Sequence, residues 1–162
     1  MAISLQPIKR GLAALALMGM ALPALAETSV SDAWVRATVP QQHATGAFMV
    51  LTATTDSKLV GVASPVAKDV QVHEMTMNGD VMGMRQVKSI ELPAGKAVSL
   101  DPNGYHVMLM GLHEQVKEGT QVPLTLTIED AKGAKQTLQV QAPVRGLTAD
   151  GNTGGHEHAH QH

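Results

Sequence analysis

The stretch Val72-His73-Glu74-Met75-Thr76-Met77-Asn78-Gly79-Asp80-Val81-Met82-Gly83-Met84 decides how this chain is read. Residue types alternate on both sides of Asn78-Gly79, and Asn-Gly is the strongest short hairpin signal because both residues accept positive φ. Period-two alternation around a two-residue loop is an antiparallel hairpin, not a helix. With Asn78 and Gly79 as the loop, Met77 is expected opposite Asp80, Met75 opposite Met82 and His73 opposite Met84. Directly opposed side chains start ~5 Å apart on one face. The hairpin would therefore gather one imidazole and up to four thioethers on one surface. A second alternating run, Tyr105-His106-Val107-Met108-Leu109-Met110, puts His106, Met108 and Met110 on one face and Val107 and Leu109 on the other.

Outward from these two runs the chain keeps the same character. Short Val-, Thr-, Leu- and Ile-rich segments predict strands at Asp32–Val39, Ala47–Thr54, Lys58–Ser64, Val70–Met77, Val81–Glu91, Ala97–Leu100, Tyr105–Leu112, Gln121–Glu129 and Lys135–Ala142. Turn signals separate them, at Asn78-Gly79, Asp101-Pro102-Asn103-Gly104 and Lys132-Gly133. With no long amphipathic helix pattern, this predicts an all-β antiparallel sandwich or barrel over residues 27–147. Val72, Val107, Leu109 and Met49 are the expected core residues of the Met-rich segments. His43 and His113 are expected to be solvated.

The two ends differ from this domain. Lys9-Arg10 precede an apolar run from Gly11 to Ala26 that closes on Ala24-Leu25-Ala26. A basic start, a short apolar middle and a small-x-small exit describe a secretory signal over residues 1–26. The run is short for a ~20-residue span and contains Gly11, Gly19 and Pro23, so no stable membrane insertion is expected after cleavage. No Cys stands at the exit to carry a lipid. A Gram-negative periplasm is the expected location. From Thr148 to His162 the chain is Gly, Asn, Asp and His without apolar periodicity, which reads as a flexible tail.

Composition removes several function classes. The 162 residues carry a formal charge of −2 and only one Trp, one Tyr and one Phe, which provides neither a basic footprint nor a stacking platform for nucleic acid. There is no Cys, so thiol redox chemistry, zinc–thiolate sites and blue-copper electron transfer are excluded. No nucleophile–base arrangement and no phosphate-binding loop is present, and an enzyme is not expected. What remains unusual is ten Met and eight His. A thioether is neutral, soft and polarisable. It is a poor ligand for Mg²⁺, Ca²⁺ or Zn²⁺ and a good one for Cu(I), while imidazole serves either copper oxidation state. A single Met on a strand is usually packing. Six Met and two His on two alternating strands point instead to a soft metal.

The spacing of four of these residues is itself distinctive. His73, Met84, His106 and Met108 follow the pattern His-x10-Met-x21-His-x-Met. In this the chain resembles the periplasmic copper chaperones known as PCu(A)C proteins. Asp32-Ala33-Trp34-Val35-Arg36-Ala37 resembles the family's opening strand, Val81-Met82-Gly83-Met84-Arg85 its Met segment, and Gly104–Leu112 its most distinctive stretch. The similarity runs from about Ser31 to Val144. It implies a cupredoxin-like Greek-key β-sandwich, Cu(I) held by His73, Met84, His106 and Met108, and delivery of copper toward cytochrome c oxidase. The acceptor implied is an oxidase subunit or a thioredoxin-fold assembly protein, and the chain is expected to act as a monomer. Met75, Met77, Met82 and Met110 fall outside the four-residue pattern and read either as a soft rim or as packing.

His156, His158, His160 and His162 form a compact imidazole cluster. Imidazole without sulfur suits Cu(II), Zn²⁺ and Ni²⁺. The expected division is Cu(II) capture by the tail and Cu(I) at the folded site. A copper-sequestering protein, which stores the metal without passing it on, fits the same ligands.

Overall fold

The computed structural model describes residues 27–146. The expected signal segment, residues 1–26, and the His-rich tail lie outside the described residues. Ten strands follow in order: β1 (Thr28–Arg36), β2 (Ala44–Ala53), β3 (Ser57–Ala63), β4 (Ala67–Asn78), β5 (Val81–Gln86), β6 (Ile90–Leu92), β7 (Ala97–Leu100), β8 (Tyr105–Leu112), β9 (Gln121–Asp130) and β10 (Lys135–Arg145). The expected strand Val81–Glu91 is two strands. Val87 leaves the β4 ladder after its N–H donates to the Val72 carbonyl, and Ile90–Leu92 pairs with β3 on the other side of the molecule. Among the described residues no helix is long and apolar enough to cross a membrane.

The strands form one hydrogen-bonded path, β5-β4-β8-β2-β1-β10-β9-β3-β6, with β7 added to β2. Pairing is antiparallel except where β10 meets β1, with Val35 beside Val144 and Arg36 beside Arg145. The path folds back on itself as a sandwich, and the inner faces of its two halves share one core. Val35, Ala47, Met49, Leu51, Val72, Val107 and Leu109 come from one half, and Leu59, Ile90, Leu92, Leu124, Leu126 and Ile128 from the other. All are buried, as expected of Val72, Val107, Leu109 and Met49.

That inner set fixes what faces out. Directly opposed residues share a face, and the pairs His73↔His106, Met108↔Gly46 and Phe48↔Trp34 run across four neighbouring strands. The outer face of β5, β4, β8, β2 and β1 therefore carries the six Met of the two alternating runs, His73 and His106, and two of the three aromatics. An outer sandwich face is ordinarily polar. Here it is thioether-rich, and Trp34 and Phe48 are buried on it outside the main core.

Candidate metal centre

The hairpin register differs from the expected one by two residues. Asn78 pairs with Val81, Met77 with Met82, Met75 with Met84 and His73 with Gln86, so the loop is Gly79-Asp80. Two features select this register. Gly79 has φ +66 while Asp80 is not in the positive region, which is the type II′ pattern with Gly first. Glu74 now faces Arg85, whose Nε and Nη2 both donate to Glu74 Oε2 at 3.1 and 2.9 Å. In the expected register Glu74 would have faced Gly83. A shift of two leaves every side chain on its predicted face. It does separate His73 from Met84.

β8 reunites them. His106 lies directly opposite His73, with ring centroids 5.8 Å apart in an edge arrangement. His106 Nε2 lies 3.0 Å from Met84 Sδ. On the far side of β8, Met108 pairs with Gly46 of β2. Met84, His106, Met108 and Met75 line one open depression of about 280 Å³, walled by Gly46, Phe48, Arg36, Gln42 and Pro102. His73 does not line it; its ring stands edge-on to that of His106. Met77 and Met82 stand further out at the hairpin end, 65% and 54% exposed. Met110 shares the face of Met108, paired with Ala44 and Asp69.

The hydrogen bonds fix which imidazole nitrogens are free. His106 Nδ1–H donates to the Gly104 carbonyl at 3.3 Å, which leaves a lone pair on Nε2 facing the Met84 sulfur. For His73 the arrangement is reversed. Gln71 Nε2 donates to Asp69 Oδ2 at 2.6 Å, so the Gln71 amide oxygen turns to accept His73 Nε2–H at 2.9 Å. His73 Nδ1 is then a bare acceptor, and it is buried without a partner. An unsatisfied buried acceptor costs free energy unless something completes it. Outer hydrogen bonds that set the tautomer of a ligating His are the usual support of a metal site. Burial lowers the His73 pKa, and the neighbouring His106 lowers it further, so both effects keep the ring neutral.

The donor set is soft. Among the described residues no three His, Cys, Asp or Glu cluster as a hard-ion site. Two imidazole lone pairs next to exposed thioethers suit a monovalent soft ion and not Mg²⁺ or Ca²⁺.

Sequence reasoning missed the opposite wall. Phe48 lies back over Gly46, where a Cβ would stand 2.7 Å from its Cζ. Trp34 packs against Phe48 with centroids 4.6 Å apart and ring planes tilted by 42°, and the Arg36 and Arg145 guanidiniums sit 5.6 and 5.3 Å from the Phe48 and Trp34 ring centroids. Nothing in the local pattern of β2 marks Gly46 as part of a site whose donors lie 27 to 62 residues further along the chain. Gln71 was legible in principle, being two residues before His73 on the same face. As expected, His43 and His113 are exposed.

Fold and site define a small β-sandwich protein with an open His/Met donor depression on an outer sheet face. The chain belongs to the LpqE-like family, which matches residues 28–144. It is 33% identical over 133 residues to Lxx21020 of Leifsonia xyli subsp. xyli (strain CTCB07), named as a lipoprotein, across 76% of this chain and 78% of that one. DR1885 from Deinococcus radiodurans is 34% identical in its apo form, over 91% of this chain and 95% of that one, with a TM-score of 0.55. The Cu(I) form of DR1885 is also 34% identical, over 83% and 85% of the two chains, with a TM-score of 0.57. The copper-bound PCuAC domain from PmoF2 matches with a TM-score of 0.59 over 74% of this chain and 92% of that domain, and at 22% identity it supports the fold alone. The resemblance to PCu(A)C proteins read from the His/Met spacing is borne out, and with it the cupredoxin-like all-β fold.

Proposed function

We propose that the protein is an exported copper metallochaperone without catalytic activity. It binds Cu(I) through His73, Met84, His106 and Met108 and passes it to a cuproprotein acceptor. The observation that carries this reading is the pair of bare imidazole nitrogens. His106 Nε2 faces Met84 Sδ, and His73 Nδ1 is buried with nothing to accept. The Cu(I) form of a relative 34% identical to this chain supports the choice of ion.

The ligand types also suit transfer. Thioether and neutral imidazole hold Cu(I) without thiolate, so a thiolate-rich acceptor can draw the ion away. The site is open on the Met84 side, where an acceptor can approach. The acceptor is a cytochrome c oxidase copper subunit or a thioredoxin-fold protein that assembles it, and the site of action is the periplasm. His156, His158, His160 and His162 capture Cu(II). The chain leaves β10 at Arg145, the partner of Arg36, which lines the depression. The ten residues from Leu147 to His156 give a reach of roughly 33 Å when extended, enough to bring tail and site together.

A Cu(I) competition titration against a chromophoric chelator tests the site. The mature chain is compared with Met84→Leu/Met108→Leu and with a chain in which the four tail His are Ala. The expected result is one tight Cu(I) equivalent, lost in the double Met variant and kept in the tail variant. Cu(II) affinity should behave in the opposite way. Tight Cu(I) binding that survives loss of both Met residues would overturn the ligand assignment. Retention of Cu(I) in the presence of excess acceptor would turn the reading from delivery to storage.

A further inference from the structure

Four of the five large hydrophobic side chains exposed on the described surface lie on one hairpin, Met77, Val81, Met82 and Met84. Core packing does not explain them, because they are not in the core. Their register explains their arrangement. A two-residue loop is closed by a hydrogen-bonded pair, here Asn78↔Val81. Alternation then makes Met77↔Met82 and Met75↔Met84 non-hydrogen-bonded pairs, the class in which Cα atoms approach to about 4.5 Å and side chains are closest. The two pairs share one face and lie about 7 Å apart along the strands. Each thioether has three rotatable bonds and a polarisable sulfur.

The thioethers also form a graded track. Met77 and Met82 are 65% and 54% exposed, Met84 is 50% exposed, Met75 is half-buried, and His106 at the inner end is 5% exposed. Met84 belongs to both ends. It is the partner of Met75 on the hairpin, and its sulfur touches the free nitrogen of His106.

We propose that Met77 and Met82, with Met75, form a second, outer position for a soft monovalent ion, an all-thioether station from which Cu(I) or Ag(I) moves inward to Met84 and His106. The inference rests on the proposed function and adds an entry route to that site. The step is ligand exchange alone. Bonds to Met77 and Met82 sulfur break as bonds to Met84 sulfur and His106 Nε2 form. The ion keeps its charge, and no proton leaves, because thioethers do not titrate and Nε2 carries no hydrogen. The outer position binds more weakly than the inner one, because it is open to water and has no imidazole.

The test uses the mature chain labelled with [methyl-¹³C]methionine and titrated with Ag(I). The tail contains no Met, so these signals do not report it, and a parallel titration of the chain with the four tail His changed to Ala removes their competition for Ag(I). The first equivalent should move the Met84 and Met108 methyls, and the second the Met77 and Met82 methyls. Met77→Leu/Met82→Leu should abolish the second phase, leave the first affinity unchanged and slow Cu(I) loading from a chelator several-fold. Met77 and Met82 methyls that stay unmoved while Met84 saturates would overturn the outer station and leave the proposed function standing. Loading at the parent rate in the double variant would overturn the route. If no methyl moved, the proposed function would fail as well.

Discussion

Gly46→Ala probes the wall of the site through a contact whose size can be worked out. The new Cβ would stand 2.7 Å from Phe48 Cζ and 3.2 and 3.4 Å from its two Cε atoms. Carbon atoms at rest sit ~3.5–4.0 Å apart, so the ring must give way by most of an ångström. It has little room to do so, with the Trp34 ring centroid 4.6 Å away and Arg36 lying 5.6 Å from the ring centroid. Overpacking of this kind costs about 1–3 kcal/mol. Ala regains about 0.5–1 kcal/mol of chain entropy relative to Gly, which leaves a net loss centred on about 1 kcal/mol and at most about 2.5 kcal/mol. With a urea slope of about 2 kcal/mol/M, the midpoint falls by about 0.5 M and at most by about 1.2 M. Trp34, the single tryptophan, is buried against Phe48 and reports unfolding by its fluorescence. The control is Phe48→Leu, which removes the ring. In that background Gly46→Ala should cost nothing, giving a coupling energy of at least about 1 kcal/mol in a double-mutant cycle. A Gly46→Ala cost that is the same with and without the Phe48 ring would refute the reasoning.

The stability of the metal-free protein should depend on pH through His73. Its folded pKa is lowered, first by burial and then by His106. The unfolded chain therefore binds the proton more readily. The stabilising contribution is complete above the ordinary value of about 6.5 and is lost as pH falls below it toward the folded pKa. Urea midpoints at descending pH should fall more steeply in the parent than in His73→Gln, and equal slopes would remove His73 as the cause. Gln71→Leu should cut Cu(I) affinity about tenfold or more, the usual effect of losing an outer partner of a ligating His. Chelator competition reads this directly, and parent affinity in that variant would mean that the Asp69–Gln71–His73 chain does not set the ligand nitrogen.

Much of the fold was legible because alternation is a local property. Val72, Val107 and Leu109 had to turn one way, so His73, His106 and Met108 had to turn the other, and a two-residue error in the hairpin could not change that. The error itself arose because Asn-Gly fits two loops of equal length, Asn78-Gly79 and Gly79-Asp80. The choice between them depends on which cross-strand pairs form, and the Glu74–Arg85 ion pair exists in only one. The second half of the expected strand Val81–Glu91 was misread for a similar reason. Ile90–Leu92 is strand-like in either place, and its partner β3 is more than 30 residues away.

The sequence by itself determined the soft character of the site, since thioether and imidazole chemistry belongs to residue type, and it determined which residues share a face, since that follows from the period of the strand. Only the tertiary structure decided that His106, not His73, meets Met84, that Gln71 and Gly104 select opposite nitrogens on the two imidazoles, and that Gly46 and Phe48 close the far wall. Those relations are set by strand order and by hydrogen bonds between segments distant in the chain. No local pattern encodes them, because their geometry exists only once β4, β8 and β2 lie side by side.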